Sequence, residues 1–377
     1  MSTICIFSAL YLPNLGGVER FTDSIAAELA RQGHEVVIVT NDTHDLGARG
    51  TLVSGAEVVR LPCRNLLNGR YPVPICNSSF KASMSVLRQK EFDGVLVNTR
   101  FYIHSLLGVK FAQSQGVRAV VLDHGSAYLT LGNPVIDWII ARYEDVITTC
   151  LKSMPLDFYG ISQKSVEWLT HFGIRAKGVI GNSIDAELYR AQSSGRSFRD
   201  ELSISQDCLM IVFAGRFIPE KGITILADMM RLLKGAPAHL VLAGDGPLRS
   251  KVEKSGMDSI HVVGRLDISD MAALLIEGDM FCLPTRSEGF STSLLEASAC
   301  GTPSLVTNVG GARELMPDDS YGFVLGKADA GAFASVVRMV LAGKYDLRAM
   351  GERCRRRVEE RYSWQTVAER VIAAFDS

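Results

Sequence analysis

Two cations lie close together in a short turn that follows a predicted strand. Residues 210–214 form an apolar, β-rich run, and residues 215–222 then read Gly-Arg-Phe-Ile-Pro-Glu-Lys-Gly. Arg216 offers a planar fork for bidentate phosphate contacts and Lys221 offers a mobile point charge, a combination that suits a diphosphate. A solvated surface turn in which Glu220 pairs with one of the cations would explain the same spacing.

A second candidate anion site follows the predicted strand at residues 280–284. Residues 288–296 read Glu-Gly-Phe-Ser-Thr-Ser-Leu-Leu-Glu, so a serine-rich turn presents backbone N–H groups at the start of a helix. Glu288 and Glu296 flank this turn. Glu296 also has a structural explanation, because Ser293 and Glu296 match a capping box. Glu288 has no comparable structural role.

The first half of the chain offers two weaker candidates. Gly16 and Gly17 open a predicted helix, where backbone amides and the helix dipole favour anionic or polar groups, although a turn that needs glycine would select the same pair. His124 follows the predicted strand at residues 118–123. It could bond a sugar hydroxyl or act as an acid or base, and a histidine satisfied within its own loop is the alternative.

The elements that must position these residues alternate between short β-rich runs and longer helical patterns, which is typical of parallel sheets with crossover helices. Ligands of such sheets bind outside the carboxyl ends of the strands, where the candidate residues fall. The fold class predicted is α/β, with two Rossmann-like doubly wound domains facing a central cleft. Strands are predicted at residues 4–8, 35–40, 94–98, 118–123, 157–161, 210–214, 239–243, 260–263, 280–284, 304–307 and 322–325.

The domain boundary is expected near residues 174–182, where the strand pattern pauses. Residues 1–176 would form the first domain and residues 177–360 the second. Residues 361–377 would form a last helix that starts after Ser363 and packs back on the first domain through an apolar stripe, which contains Val367 and Val371.

Composition excludes several functional classes. Lys and Arg total 40 against 41 for Asp and Glu, so the chain lacks the positive field of a nucleic-acid-binding protein. The eight cysteines form no Cys-x-x-Cys pair, which favours a reducing compartment and no structural zinc. The apolar start of the chain resembles a strand more than a signal peptide, and no apolar run is long enough to span a bilayer. A cytoplasmic protein is expected.

The motifs together resemble the retaining GT-B glycosyltransferases of family 4. Four features carry the resemblance: Gly-Gly-Val-Glu-Arg at residues 16–20, the turn at residues 215–222, Gly-Asp-Gly-Pro at residues 244–247, and the spacing from Glu288 to Glu296. This ordered set spans nearly the whole chain, and the cationic turn combined with the paired glutamates is its specific part.

The resemblance implies a role for each candidate residue. Arg216 and Lys221 would bind the donor diphosphate, Glu288 would face the transferred sugar, and Glu296 would hold the ribose hydroxyls. His124 would face the sugar or the reacting acceptor oxygen. Further donor contacts are expected from Gly289, Phe290, Ser291, Thr292, Ser293 and Leu294, base contacts from Gly264 and Arg265, and a floor near phosphate and acceptor from Gly16 and Gly17.

The resemblance also implies the reaction. A hexose would pass, with retention, from a nucleoside diphosphate sugar to a glycan or lipid-linked acceptor in polysaccharide or glycoconjugate synthesis, with UDP-sugar favoured over GDP-mannose as donor. No cofactor or metal is expected, because no Asp-x-Asp motif stands at a suitable loop and the two cations could stabilise the leaving phosphate. Many relatives have Gly-x-Pro where this chain has Ser291, Thr292 and Ser293, so the donor sugar stays open.

Two other functions use the same fold. One is an epimerase or hydrolase of nucleotide sugars, and the other is a non-catalytic nucleotide-sugar-binding subunit, against which the intact set of Arg216, Lys221, Glu288 and Glu296 argues. Residues 63–75 and 135–143, the latter with Trp138, Ile139 and Ile140, could contact a lipid-linked acceptor or a membrane surface. A buried core helix is the alternative for the second stretch.

Overall fold

Strands occur throughout the computed structural model, which describes residues 1–14, 16–48, 50, 55–67, 69–130 and 132–376. The first half contains β1 (Thr3–Ser8), β2 (Glu35–Asn41), β3 (Glu57–Leu61), β4 (Cys63–Leu66), β5 (Tyr71–Pro74), β6 (Gly94–Asn98), β7 (Ala119–Asp123), β8 (Leu156–Gly160) and β9 (Gly178–Val179). The second half contains β10 (Leu209–Ala214), β11 (Ala238–Ala243), β12 (Ile260–Gly264), β13 (Met280–Leu283), β14 (Ser304–Thr307) and β15 (Gly322–Leu325).

Helices separate most of these strands. The first half contains α1 (Gly17–Arg31), α2 (Ser78–Leu87), α3 (Ile103–Ser114), α4 (Pro134–Lys152) and α5 (Gln163–Thr170). The rest of the chain contains α6 (Ala186–Ala191), α7 (Phe198–Glu201), α8 (Ile223–Leu232), α9 (Arg249–Glu253), α10 (Ile268–Glu277), α11 (Thr292–Ala299), α12 (Ala312–Leu315), α13 (Ala330–Leu341), α14 (Leu347–Arg361) and α15 (Trp364–Phe375). No helix within the described ranges is both long and apolar enough to cross a bilayer.

The chain divides into two compact units, Met1–Asn182 with Trp364–Ser377, and Ser183–Ser363. In the first unit the main sheet has the strand order β3-β2-β1-β6-β7-β8-β9, and in the second unit the order is β12-β11-β10-β13-β14-β15. The strands of both sheets pair in parallel. The predicted fold class, an α/β protein with two doubly wound sheets, is confirmed.

Continuous apolar runs explain the central strands. Ile4 to Phe7 in β1 and Met210 to Phe213 in β10 are fully buried, as expected for parallel strands covered by helices on both faces. The strands missing from the sequence prediction have weaker patterns. β3 includes a buried arginine, Arg60, each strand of the β4–β5 hairpin has only four residues, and β9 has two residues.

Each sheet has one point at which the strand order reverses. In the first unit this point lies between β1 and β6, and in the second unit it lies between β10 and β13. Ligands of doubly wound sheets bind in the crevice that the loops form at such a point. The loops after β10 and β13 carry most of the predicted donor-site residues of the second unit, whereas Gly264 and Arg265 lie at the end of β12.

The last helix, α15, belongs to the first unit. Val367 and Val371 are buried, and the ring of Trp364 meets the ring of Phe21 in α1 edge-on, with centroids 5.7 Å apart. The apolar stripe of α15 therefore packs on α1.

Candidate active site

The loops that follow β10 and β13 are in direct backbone contact. The carbonyl oxygen of Glu220 accepts hydrogen bonds from the Arg286 amide at 2.8 Å and from the Thr285 hydroxyl at 3.1 Å. Since β10 and β13 are neighbouring strands, both loops leave the same edge of the sheet. The cationic turn and the serine-rich turn predicted from the sequence are therefore parts of one site.

Two glycines allow this close approach. Gly222 has φ of +71°, and a Cβ atom placed on it would lie 2.2 Å from the carbonyl oxygen of Pro284. Gly244 has φ of +137°, and its Cβ would lie 1.9 Å from the carbonyl oxygen of Gly215. Any other residue would combine an unfavourable backbone conformation with a collision. The Gly-Asp-Gly-Pro motif thus packs the loop after β11 against the cationic turn.

The two cations of the turn have different surroundings. Arg216 is exposed, and its guanidinium forms no ion pair with a carboxylate within the described part of the chain. The Lys221 ammonium forms an ion pair with the Glu288 carboxylate, and both side chains are largely buried. Glu288, and not Glu220 as the alternative interpretation of the turn required, is the partner of Lys221. The site therefore offers one exposed cation and one oriented cation.

The serine-rich turn ends in the N-terminus of α11. Ser291 is the N-cap residue, and its hydroxyl accepts a hydrogen bond from the Leu294 amide at 3.4 Å and lies 3.1 Å from the Ser293 hydroxyl. The predicted capping box of Ser293 and Glu296 is wrong, because Ser293 already lies inside the first turn of the helix. The amides of Thr292 and Ser293 remain as first-turn donors without partners inside the helix.

The other predicted donor residues serve different purposes. Phe290 is buried, and its ring centroid lies 6.0 Å from that of Tyr362, so this side chain anchors the turn. The Leu294 side chain is buried, and its amide is occupied by the cap. Gly289 links Glu288 to Phe290, and Glu296 is half-buried one turn into α11. Arg216, Lys221 and the amides of Thr292 and Ser293 remain as the groups suited to a diphosphate.

The predicted base-contact residues lie farther along the same sheet edge. Gly264 ends β12, the outermost strand, and its carbonyl oxygen accepts a hydrogen bond from the Gly244 amide at 2.6 Å. The Arg265 side chain is 82% exposed, and its Nε atom lies 4.0 Å from Asp245 Oδ2. This hydrogen bond and the ion pair between Arg265 and Asp245 extend the site from the cationic turn toward Arg265.

A further loop of this site, which follows β14, was not predicted from the sequence. Gly310 follows β14, and a Cβ atom placed on it would lie 3.0 Å from the Glu288 Cβ atom. The Thr307 hydroxyl at the end of β14 donates to the Thr285 carbonyl oxygen. The glycine pair Gly310 and Gly311, which follows a predicted strand, could have indicated this loop in the sequence.

In the first unit, Gly16 and Gly17 lie at the N-terminus of α1. A Cβ atom on Gly17 would meet nothing within 4 Å, whereas one on Gly16 would lie 2.4 Å from Glu19 Oε2. Burial raises the pKa of Glu19, although a backbone hydrogen bond lowers it. A protein carboxylate therefore already lies at this helix N-terminus, which favours a neutral ligand over an anion there.

His124 lies at the end of β7 in the first unit, half-buried, with the Phe21 ring at 5.0 Å edge-on. Asn98 Nδ2 donates to Thr22 Oγ1 at 2.9 Å, so Asn98 Oδ1 is the acceptor that faces His124 Nε2 at 3.0 Å. Nε2 therefore carries the proton and Nδ1 keeps a lone pair. Burial lowers the pKa of His124 to about 3, so the ring is neutral at neutral pH and suited to accept a hydrogen bond.

Two family models match successive parts of the chain. Residues 15–188 match the model described as Glycosyltransferase Family 4, and residues 209–343 match Glycosyl transferases group 1. The chain belongs to glycosyltransferase family 4. This family 4 enzyme is a glycosyltransferase, as the motifs predicted.

The curated relatives are similar over nearly the whole chain. The gpi3 subunit of phosphatidylinositol N-acetylglucosaminyltransferase from Schizosaccharomyces pombe is 24% identical, covering 98% of this chain and 79% of the relative. The GDP-mannose-dependent alpha-(1-6)-phosphatidylinositol dimannoside mannosyltransferase of Mycobacterium tuberculosis is also 24% identical, covering 96% of this chain and 93% of the relative.

Solved structures confirm the predicted GT-B fold. Sucrose-phosphate synthase from Thermosynechococcus elongatus superposes with a TM-score of 0.78 at 19% identity, covering 100% of this chain and 98% of that protein. Anabaena HepE, in a complex with UDP, superposes with a TM-score of 0.75 at 16% identity, covering both chains fully.

The contact between Gly222 and Pro284 predicts a large cost for a single methyl group. Gly222→Ala should lower the free energy of unfolding of the second unit by about 2 kcal/mol or more, because strain and collision add. Gly343→Ala is the matched control, since Gly343 has φ of +70° and nothing within 4 Å of its Cβ position. It should cost about 1 kcal/mol. Urea unfolding of both variants measures the difference, and equal costs would contradict the proposed collision.

Proposed function

We propose that this enzyme transfers a hexose from a nucleoside diphosphate sugar to a lipid-linked acceptor, with retention of configuration and without a metal ion, at the cytoplasmic face of a membrane. One observation carries the donor part of the proposal. Arg216, Lys221 and the N-terminus of α11 lie on two loops in backbone contact, at the point where the second sheet reverses its strand order. Such a group of cations and amides fits the diphosphate of a nucleotide sugar.

The charges of this site suit the chemistry of transfer. Breaking the bond between sugar and phosphate places negative charge on the leaving diphosphate and positive character on the sugar. Fixed cations and amides at the phosphate stabilise that transition state more than the ground state. In this proposal Arg216 and Lys221 take the place of a metal ion. With retention, the acceptor hydroxyl attacks on the face that the diphosphate leaves, and a donor phosphate oxygen takes its proton.

Glu288, Glu296 and His124 are assigned to the sugars of the substrates. Glu288 holds Lys221 in place and faces the transferred hexose. Glu296 accepts hydrogen bonds from the ribose hydroxyls. It does not form the predicted capping box with Ser293, because Ser291 is the N-cap residue of α11. His124 is neutral at neutral pH, so it accepts a hydrogen bond from a hydroxyl at Nδ1 and does not donate a proton to the leaving group.

The surface of the first unit supports a lipid-linked acceptor. The first two turns of α4 expose apolar side chains, with Val135 at 68%, Trp138 at 65% and Ile139 at 54% exposure. For this stretch the sequence left open a lipid-contacting surface or a buried core helix, and the exposure of these side chains favours the lipid-contacting surface. The two curated relatives are named for reactions on phosphatidylinositol lipids. An exposed apolar helix with tryptophan suits the boundary between headgroups and acyl chains.

The β4–β5 hairpin extends this apolar surface. Its Tyr71 packs edge-on against Tyr143 of α4, with ring centroids 5.3 Å apart, and the hydroxyls of the two rings are in contact. Leu66 and Leu67 are exposed on the hairpin, as are Arg64 and Arg70. Residue 68, within the predicted 63–75 segment, lies outside the described residues. Two arginines beside exposed leucines favour binding to a membrane that contains anionic lipids.

The cytoplasmic side is supported by the cysteines. All eight are free thiols, as expected for a protein kept in a reducing compartment.

Removal of either cation of the cationic turn, Arg216 or Lys221, should slow catalysis strongly. We expect Arg216→Ala and Lys221→Ala to lower kcat by about 10²-fold or more, because each removes a charge that stabilises the leaving diphosphate. Arg231→Ala is the control, since Arg231 is exposed on α8 and pairs with Asp228. Steady-state assays with UDP- and GDP-hexoses measure the effect. Turnover near that of the wild type in both Arg216→Ala and Lys221→Ala would refute the assignment of these cations to the leaving diphosphate.

Metal independence predicts that a chelator has no effect. Because the two cations stabilise the departing phosphate, activity of the wild type in excess EDTA should equal activity without it. Loss of activity that Mg²⁺ or Mn²⁺ restores would contradict this part of the proposal.

The apolar surface of α4 should control membrane binding. We expect the double variant Trp138→Ser/Ile139→Ser to bind vesicles of phosphatidylcholine and phosphatidylglycerol at least about tenfold more weakly, because two apolar side chains no longer enter the bilayer interface. Leu232→Ser/Ile268→Ser is the control, since both residues are half-exposed in the second unit. Co-sedimentation measures binding, and equal losses in the two double variants would argue against a dedicated surface on α4.

A further inference from the structure

Arg100 is among the largest fully buried side chains of the protein, with 1% of its side chain exposed. It comes two residues after the end of β6, at the edge where the first sheet reverses its strand order. A buried guanidinium is costly unless opposite charges and hydrogen bonds surround it. Since this cation is out of reach of solvent and substrate, its partners indicate what it does.

The guanidinium is shared by two buried carboxylates. Its two terminal nitrogens each donate to Glu144 Oε2 at 3.1 Å, and its Nε atom lies 3.5 Å from Asp123 Oδ2. One terminal nitrogen also donates to the Thr148 hydroxyl at 3.3 Å, and the ring centroid of Phe172 lies 4.1 Å from the guanidinium carbon. We refer to Arg100, Asp123 and Glu144 as the ion cluster.

Both carboxylates are connected to the loop that carries His124. Asp123 directly precedes His124 in the chain, and Glu144 Oε1 accepts a hydrogen bond from the Leu129 amide at 2.9 Å. One cation therefore fixes the loop between β7 and α4 at its start and at its middle. Asn98, which accepts from His124 Nε2, lies only two residues before Arg100. The ring of His124 and the backbone on either side of it depend on the same strand end.

The backbone next to Arg100 is strained, which indicates that the position of this side chain is strongly determined. Thr99 is buried with φ of +71°, a conformation that a β-branched residue rarely adopts. The Thr99 amide donates to the Leu122 carbonyl at 2.8 Å, and its carbonyl oxygen accepts from the Ser105 hydroxyl at 2.7 Å. Such strain persists only where the surroundings hold it, and it is concentrated at functional sites.

Charge balance makes the cluster sensitive to Arg100. Burial raises the pKa of both Asp123 and Glu144, while the guanidinium lowers the pKa of each. Without the cation, two carboxylates would remain buried side by side, and at least one would take up a proton or move. Either response would change the start of the His124 loop.

We propose that Arg100 is a positioning residue for His124, acting through its contacts with Asp123 and Glu144. This inference rests on the proposed function only for the catalytic consequence of the position of His124. The geometric consequence can be measured without any substrate.

The test uses the full chain, labelled with ¹⁵N-histidine, and Arg100→Lys. His124→Gln assigns the signals of His124 among those of the seven histidines. In the wild type, His124 should appear as a neutral ring protonated on Nε2 and should not titrate between about pH 5 and 8. A lysine lacks the fork that contacts both carboxylates. In Arg100→Lys, the His124 ring signals should therefore shift and the single tautomer should be lost.

Arg199→Lys is the matched control, because Arg199 is also buried and pairs with Asp279 at 2.6 Å in the second unit. It should leave the His124 signals unchanged. Glu144→Gln serves if Arg100→Lys does not fold. A glutamine has one acceptor oxygen for Arg100 and the Leu129 amide together, so His124 should shift here too. Unchanged His124 signals in a folded Arg100→Lys or, failing that, in Glu144→Gln would overturn the proposal.

The kinetic arm separates this inference from the proposed function. Arg100→Lys should lower kcat by about 10- to 100-fold, the cost of a misplaced active-site group, with KM for the donor within about twofold of the wild type. A lower kcat without altered His124 signals would also refute positioning. If the wild type transfers no sugar from UDP- or GDP-hexoses, the proposed function fails while the NMR result still decides the role of Arg100.

Discussion

The candidate donor site depends on the hydrogen bonds that the carbonyl oxygen of Glu220 accepts from Arg286 and Thr285. It joins the loops that leave β10 and β13, and Gly222 permits the approach because it has no Cβ atom to meet Pro284. Through this contact the cationic turn and the N-terminus of α11 share one edge. Neither loop alone would bring Arg216, Lys221 and the α11 amides together.

The two units use arginine in opposite ways beside the points where their sheets reverse strand order. Arg216 follows β10 in the second unit and is exposed, so its charge is available to a ligand. Arg100 follows β6 in the first sheet and is enclosed by Asp123, Glu144 and aromatic rings. An exposed guanidinium serves recognition, whereas a buried one orders the backbone around it. The same residue type at a strand end therefore has no fixed meaning without its environment.

Much of the fold could be predicted from the sequence, because parallel strands that are buried on both faces appear as continuous apolar runs. The placement of site residues after strands followed from the same pattern. The cap of α11 was assigned incorrectly, because Ser291 and Ser293 are both plausible N-cap residues and only the backbone distinguishes them. Arg100 gave no signal, since a single arginine after a strand carries no spacing pattern. The exposure of Trp138 and Ile139 also required the structure, because an apolar helix has the same sequence in a core and on a surface.

If a nucleoside diphosphate binds at the carboxyl edge of the second sheet, calorimetric titration of UDP and GDP detects it without any acceptor. One of the two nucleotides should bind the wild type with a stoichiometry of one. Glu296→Gln should weaken that binding by about 1.5–3 kcal/mol, because a charge-assisted acceptor for the ribose hydroxyls is lost, and its melting temperature should be unchanged. Glu187→Gln, a change at an exposed position on α6, should bind like the wild type. If neither nucleotide binds, or if wild type and Glu296→Gln bind with equal affinity, the second sheet does not hold the donor in the way proposed.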